Sequence, residues 1–218
     1  MSTIFRLDAS IRQDGSVTRA VADTLQETIT DELGTPTVIR RDLGTGPVDP
    51  SLWPLAAFAG FVPEDQRTPE QLTAIQQAAS YADEVVSADV LVFAVPLYNF
   101  GVSQHFKAWY DLVATDPRLT VGQSQVVGKP AFLVTARGGG YGPGTPREGW
   151  DHATGWMRRV LEDVWGLDLD VIETELTLAE VTPQMAGLRD LAREQLAESH
   201  ETARQSGRSV TVKLRAAA

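Results

Sequence analysis

VLVFAVPLYNF, residues 90–100, begins as an unbroken apolar run and breaks at Pro96 into Tyr98, Asn99 and Phe100. A run of β-branched and apolar residues with no polar alternation is the mark of a strand buried on both faces, as in a parallel sheet covered by helices. Pro96 has no N–H to give to a ladder, so the strand is predicted to stop there and to leave a loop at its carboxyl end. In open α/β sheets, ligands sit at that end. Tyr98, Asn99 and Phe100 are too bulky and too polar for an ordinary short turn, and are expected to form one wall of a ligand site.

Outward from this stretch, helical and extended patterns alternate. Thr3–Leu7 reads as a short strand, and Val17, Val21, Leu25, Ile29 and Leu33 then recur at every fourth position as a one-sided helical stripe ended by Gly34 and Pro36. Thr37–Leu43 is a second strand whose two arginines place it near an edge. Gly44–Arg67, rich in Gly and Pro but carrying Trp53, Phe58 and Phe61, is expected to be a long functional or interfacial loop. Pro69 opens a helix through Leu72, Ile75, Ala79, Ala82 and Val86. Beyond the central strand, a helix is predicted over Ser103–Val113, a loop over Asp116–Gln125 and a strand over Lys129–Ala136. A glycine-rich loop (Arg137–Gly149), a helix (Asp151–Trp165) and a fifth strand (Leu167–Leu178) come next. Pro183 opens a last helix, and Ser209–Leu214 reads as a short alternating tail of unassigned role. No repeat or linker divides the chain, so residues 1–218 are expected to form a single domain. The alternation implies an α/β fold: a doubly wound five-stranded parallel sheet with helices on both faces and right-handed crossovers. The flavodoxin-like order 2-1-3-4-5 places its switch point between the first and third strands.

The chain has 218 residues, 43% of them hydrophobic and 22% charged, with a formal net charge of −10. That charge argues against nucleic acid or an anionic membrane as a partner, because both need clustered cations. With no cysteine, disulfides, thiolate catalysis and thiolate metal sites are excluded. The N-terminus has no apolar signal core and no run reaches the ~18 residues of a membrane span, so a cytoplasmic protein is expected.

In the 2-1-3-4-5 order, three loops share one rim: Asp8–Thr18, Pro96–Gly101 and Arg137–Gly144. Ser10, Ser16 and Thr18 run into a helix start, whose free N–H groups and partial positive charge suit a phosphate; the same residues also suit a plain N-cap. The loop RGGGYGPG exposes main chain to something flat or bulky, or is a flexible lid. The aromatics of the middle loop either wall a ligand or pack beneath the loop. A planar heterocycle with a phosphate tail would use all three loops. Rival motifs fail: Gly122…Gly128-Lys129 has the wrong P-loop spacing with Pro130 in place of Ser or Thr, and no G-x-G-x-x-G follows the first strand. Ser103 lacks the glycine frame of a hydrolase elbow, and His105, His152 and His200 show no metal-ligand spacing.

These motifs together resemble the FMN-dependent NAD(P)H azoreductase and quinone reductase family of the flavodoxin-like superfamily, over nearly the whole chain. PLYNFGVSQHFKAWYDLV (96–113) is similar to the family's P-M-Y-N-F…LK-x-W-x-D, TARGGGYG (135–142) to S-R-G-G with Ala136 in place of serine, and S-x5-S-V-T from Ser10 to S-x5-S-x-S. Where the family usually runs R-A-G-x-T-F, this chain has Thr115-Asp116-Pro117-Arg118-Leu119-Thr120, a segment that often shapes the mouth over the flavin.

The resemblance implies that Ser10, Ser16, Val17 and Thr18 hold the FMN phosphate. It places Pro96, Leu97, Tyr98, Asn99 and Phe100 along the isoalloxazine, and Ala136, Arg137, Gly138 and Gly139 on its pyrimidine side. It further implies NADH or NADPH as electron donor, ping-pong reduction of a quinone, an azo compound or another planar aromatic acceptor between Phe100 and Tyr141, and a homodimer. The chemistry would belong to the flavin, with no protein nucleophile or metal and with Arg137 as a counter-charge. A flavodoxin-like electron carrier is the alternative, against which the aromatic Gly44–Arg67 segment stands.

Overall fold

Val90–Ala94 (β3) is the middle strand of a five-stranded sheet, and all of its residues are buried. The structure is a computed structural model and describes residues 2–217; Met1 and Ala218, the ends of the expected domain, lie outside the described residues. Thr3–Asp8 (β1) pairs with β3 on one side and with Thr37–Asp42 (β2) on the other, all parallel. Pro130–Ala136 (β6) pairs with the far side of β3, and Asp168–Thr174 (β7) closes the sheet. The order β2-β1-β3-β6-β7 is the expected 2-1-3-4-5 once a small separate hairpin, Leu97–Tyr98 (β4) with Gly101–Val102 (β5), is set aside.

Alternate residues of the central strands feed two cores, one on each face. Ile4, Val90, Val92, Phe132 and Val134 pack with Val21, Leu25 and Ile29 of Val17–Leu33 (α1) and with Ala203 and Val210 of Arg189–Ala217 (α6). On the other face Phe5, Leu7, Leu91, Phe93 and Leu133 meet Ala78 and Ala82 of Pro69–Ser87 (α3), Trp109 of Gln104–Val113 (α4) and Trp165. Trp109 is the hub of that face. Its ring lies 6.0 Å from Phe5, 5.8 Å from Phe106 and 6.0 Å from Trp165. The helix starts follow their sequence signals: Ser16 caps α1, and Thr68 with Gln71 forms a full capping box ahead of Pro69. Gly34 ends α1 at φ 85°, with its N–H on Thr30 O.

Several elements depart from the sequence reading. Gly44–Arg67 is not all loop: Leu52–Ala59 (α2) is a helix, and Glu64–Gln66 is a single 3₁₀ turn. In α3 the buried stripe is Ala74, Ala78, Ala82 and Val85, while Leu72 is exposed. Two stripes of equal helical spacing share Ala82, and the one with the smaller side chains faces the core.

The helix predicted over 151–165 is α-helical only at Thr154–Arg158 (α5); Arg159–Val164 is a π-helix, so Trp165 N–H bonds to Val160 O at 3.1 Å. The wider turn brings Trp165, rather than Val164, into the core. The fifth strand stops at Thr174 and the chain then turns. Residues 183–188 form a 3₁₀ helix, and 209–214 are not an alternating tail but the end of α6. Val210 is buried there, and Lys213 reaches Asp168 at 2.8 Å and Asp170 at 3.3 Å.

Candidate functional site

The main chain between β1 and α1 folds around three short hydroxyl side chains. Ser10, Ser16 and Thr18 are each nearly fully buried. Ser16 Oγ lies 3.0 Å from Ser10 Oγ and 3.1 Å from Thr18 Oγ1, while Ser16 also caps α1 through Arg19 N–H. Capping and a hydroxyl cradle are thus realised together. Ala20 N–H is the first to reach a main-chain carbonyl of the helix, Ser16 O, so those of Val17 and Thr18 precede the first helical bond and sit at the positive end of the dipole.

Arg19 holds this loop from behind. Its guanidinium donates to Ser10 O at 2.9 Å and Arg12 O at 3.2 Å, and makes a two-pronged bond to Asp42 at 2.7 and 2.8 Å. The Asp42 bond raises the Arg19 pKa further and, in return, holds the Asp42 carboxyl below its usual range. Beneath it, the wholly buried Asp8 is matched by Arg6 at 2.8 Å and Arg40 at 2.9 Å. Asp8 thus stays neutralised under the rim.

After β3 the chain forms a tight hairpin, contrary to the expectation from its bulk. Asn99 (φ 49°) and Phe100 (φ 66°) are both left-handed, as the two central residues of a type I′ turn must be. Phe100 O receives His152 N–H at 3.0 Å, and its ring packs against Trp150 (5.4 Å) and Tyr141 (6.4 Å). Tyr98 ties this hairpin to the first loop: its hydroxyl accepts Ile11 N–H at 3.2 Å and lies 3.3 Å from Ser10 Oγ.

The glycine loop after β6 is fixed by the segment following β7. Leu178 N–H bonds Gly138 O, Thr177 N–H bonds Arg137 O and Leu176 N–H bonds Gly139 O, at 3.1–3.2 Å. A Cβ on Gly138 would come within 2.6 Å of the Leu178 side chain. Arg137 is engaged elsewhere than expected. Its side chain is buried and bonds Asp151, Glu173, Glu175 and Thr154 Oγ1. Burial alone would lower its pKa, but Glu173 and Asp151 more than offset this and raise it. Its charge is spent on four neighbours.

The three loops enclose one cavity of about 470 Å³, a usual size for a small-molecule site. Ser10, Ser16, Val17 and Thr18 line one end. Pro96, Leu97, Tyr98, Asn99 and Phe100 form a wall, and Ala136, Gly138, Gly139 and Tyr141 face them. Of the residues singled out from sequence, Arg137 alone is missing from this wall. Sequence reasoning had not named Ile11, Arg12, Arg147, Thr177 or Leu178, which also line it. Ile11 and Arg12 lie inside the first motif and were legible there. Arg147 lies in the glycine-rich loop but beyond the stretch assigned to the rim, and Thr177 and Leu178 reach the cavity only through tertiary contacts.

Comparison with known proteins agrees with this geometry. A family model described as flavodoxin-like fold matches residues 2–199. The FMN-dependent NADH:quinone oxidoreductase of Parafrankia sp. (strain EAN1pec) is 35% identical over 207 residues, spanning 94% of this chain and 98% of that protein. That of Streptomyces avermitilis is 36% identical over 205 residues, 93% and 94% of the two chains. This chain belongs to the flavodoxin-like fold family.

Solved structures agree on the family's fold. Azoreductase from Bacillus anthracis str. Sterne superposes with a TM-score of 0.76 at 19% identity, over 96% of this chain and all of that one. An FMN-dependent NADH-azoreductase from B. anthracis str. Ames Ancestor, solved in complex with FMN, gives 0.71 at 15%, over 94% and 99%. In this flavodoxin-like chain the cavity lies beyond the carboxyl ends of β1, β3 and β6, spanning the β1/β3 switch point where the topology of the fold opens a crevice.

Proposed function

We propose that this protein is an FMN-dependent NADH:quinone oxidoreductase of the cytoplasm, acting as a homodimer of single FMN-binding domains and reducing quinones, with azo compounds as further acceptors. The observation that carries the reading is the composition of the cavity wall: buried hydroxyls at a helix start, an aromatic and amide wall, bare glycine main chain opposite, and no Asp or Glu among the lining residues. The donor set fits FMN. An anionic phosphate suits the hydroxyls of Ser10, Ser16 and Thr18 with the N–H groups of Val17 and Thr18, and a flat ring system suits the slot between Pro96–Phe100 and Ala136–Gly139.

The chemistry FMN supplies when bound is hydride acceptance from NADH and two-electron delivery to the acceptor. The chain's own groups do the rest. Tyr98 and Arg19 keep the phosphate loop in shape before any ligand arrives, which limits the ordering cost of binding. Phe100 and Tyr141 offer aromatic faces to a planar donor or acceptor at the mouth. Val95 N–H and Arg137 N–H are used within the sheet rim, on Val134 O and Thr174 O. The donors left for a ligand therefore come from the loops themselves. Anaerobic mixing of the FMN-loaded protein with NADH tests the assignment. Rapid bleaching of the flavin absorbance, and its return on adding a quinone, is expected; protein that folds but takes up no FMN, or a flavin that NADH leaves yellow, sinks it.

A further inference from the structure

One charge in the cavity wall is not used by that reading. Arg147 lies across the cavity from the hydroxyl cradle, packed on Gly139 so closely that a Cβ there would fall 1.7 Å from its Nη1. Its guanidinium stands 5.8 Å from the Tyr141 ring centre, on the aromatic mouth formed by Tyr141, Phe100 and Trp150. In a chain with ten more acidic than basic groups, the Arg147 guanidinium, like that of Arg12, has no carboxylate partner among the described residues. Arg137, 5.9 Å from the centre of the same tyrosine ring, is bonded by three carboxylates. Tyr141 N–H is itself taken by Glu175 at 3.0 Å, so the loop is held while Arg147 stays free. Arg12, the other basic residue of the wall, belongs to the cradle end, where its main chain hydrogen-bonds Ser10.

We infer that Arg147 is a specificity-determining residue that receives an anionic substituent, a sulfonate or carboxylate, on the aromatic acceptor stacked at the mouth. This rests on the oxidoreductase reading above. A planar guanidinium offers two parallel donors to such a group, and in a wall free of carboxylates nothing opposes the approach of a negative charge. Electrostatic complementarity of this type acts on choice of partner more than on raw affinity. The enzyme therefore prefers sulfonated or carboxylated quinones to their neutral parents.

The test uses the FMN-loaded protein and two readouts. Equilibrium binding of naphthalene-2-sulfonate, which cannot be reduced, is compared with 2-naphthol by the shift in flavin absorbance. kcat/KM is then compared for 1,4-naphthoquinone and its 2-sulfonate. Arg147→Gln is expected to weaken sulfonate binding and to lower the sulfonate-to-neutral ratio of kcat/KM by about tenfold, and Arg147→Lys to restore only the part that needs charge without the two-pronged geometry. An unmoved ratio overturns the inference. So does a rise in the KM for NADH with acceptor choice intact, which gives Arg147 to the donor's diphosphate, or an equal loss for both quinones with a lowered potential of bound FMN, which gives it to the cofactor. Failure to load FMN at all defeats the functional reading itself, and is seen before any acceptor is added.

Discussion

Glycines 44 and 139 both sit where an added Cβ would overlap a neighbouring atom, at 2.0 and 1.7 Å, yet the two should behave differently. At Gly44 the obstacle is main chain: Ser10 O lies 2.0 Å from the ideal Cβ, with the Arg19 guanidinium at 2.8 Å. Neither can move without breaking the buttress of the hydroxyl loop. Gly44→Ala is expected to cost about 1–3 kcal/mol, the usual range for overpacking, and to weaken FMN binding; denaturant unfolding and FMN titration check both. At Gly139 the obstacle is the far end of Arg147, which swings away, so Gly139→Ala should leave unfolding stability within about 0.5 kcal/mol of the parent. Asp42 gives a pH prediction from the same buttress. Its bond to Arg19 lowers its pKa from the ordinary 3.8, so the folded state favours the ionised form. The stabilisation is complete above that ordinary value and is lost as pH falls through the depressed one. Asp42→Asn should flatten the acid limb of stability below the ordinary carboxylate value of 3.8; an unchanged limb would show that the pair contributes nothing. The hydroxyls of this loop were legible in S-x5-S-V-T because a loop running straight into a helix fixes where they go. Arg137 was misread for the opposite reason: its partners Asp151, Glu173 and Glu175 lie 14 to 38 positions on, beyond the reach of a local motif.

Elements were legible where one period dominated and illegible where two competed. The β3 run, the α1 stripe and the Pro69 start admit one reading each. In α3 two stripes share Ala82, and nothing local says that the alanine side faces the sheet. The π-turn after α5 breaks the 3.6 period that any stripe argument assumes, so the position buried at its end is Trp165 and not Val164. The 209–214 segment alternates like a strand, but Val210 and Leu214 are also four apart and meet the α1 core as a helix face. The hairpin at Asn99–Phe100 was hidden by its side chains, since an aromatic in the left-handed region is a poor local choice. It costs on the order of 1 kcal/mol or more and persists because the surroundings hold it. Phe100→Gly should therefore raise the stability of the free protein, or leave it level, despite the lost ring contacts with Trp150 and Tyr141. It should also raise the KM for a quinone several-fold by removing one face of the mouth. A stability loss above about 3 kcal/mol, more than the two ring pairs can supply, would mean that the turn is not strained.

At the scale of the whole molecule, the unresolved balance is apolar surface. Helix α2 is apolar nearly all round, LWPLAAFA, yet only Ala56 and Ala59 are buried. Trp53 is 47% exposed, Phe58 64% and, just beyond the helix, Phe61 86%. A helix of this character belongs in a core or against a partner, and three large aromatics within nine residues exceed the scattered apolar surface of a monomer. A second copy of the chain is the partner that the proposed homodimer supplies. Two surfaces each carrying a charge of −10 repel at long range, so the contact must be made by a patch without charge, and 52–61 contains none. Replacing Phe58 and Phe61 together by Asp places like charges where the two copies meet. Sedimentation velocity at micromolar concentration is expected to give a dimer for the parent and a monomer for the double variant. Because these residues are remote from the hydroxyl cradle in sequence and absent from the cavity wall, FMN should still bind the monomer. A parent that sediments as a monomer defeats the homodimer, and a double variant that stays dimeric places its interface elsewhere; either leaves α2 to be covered by a different partner.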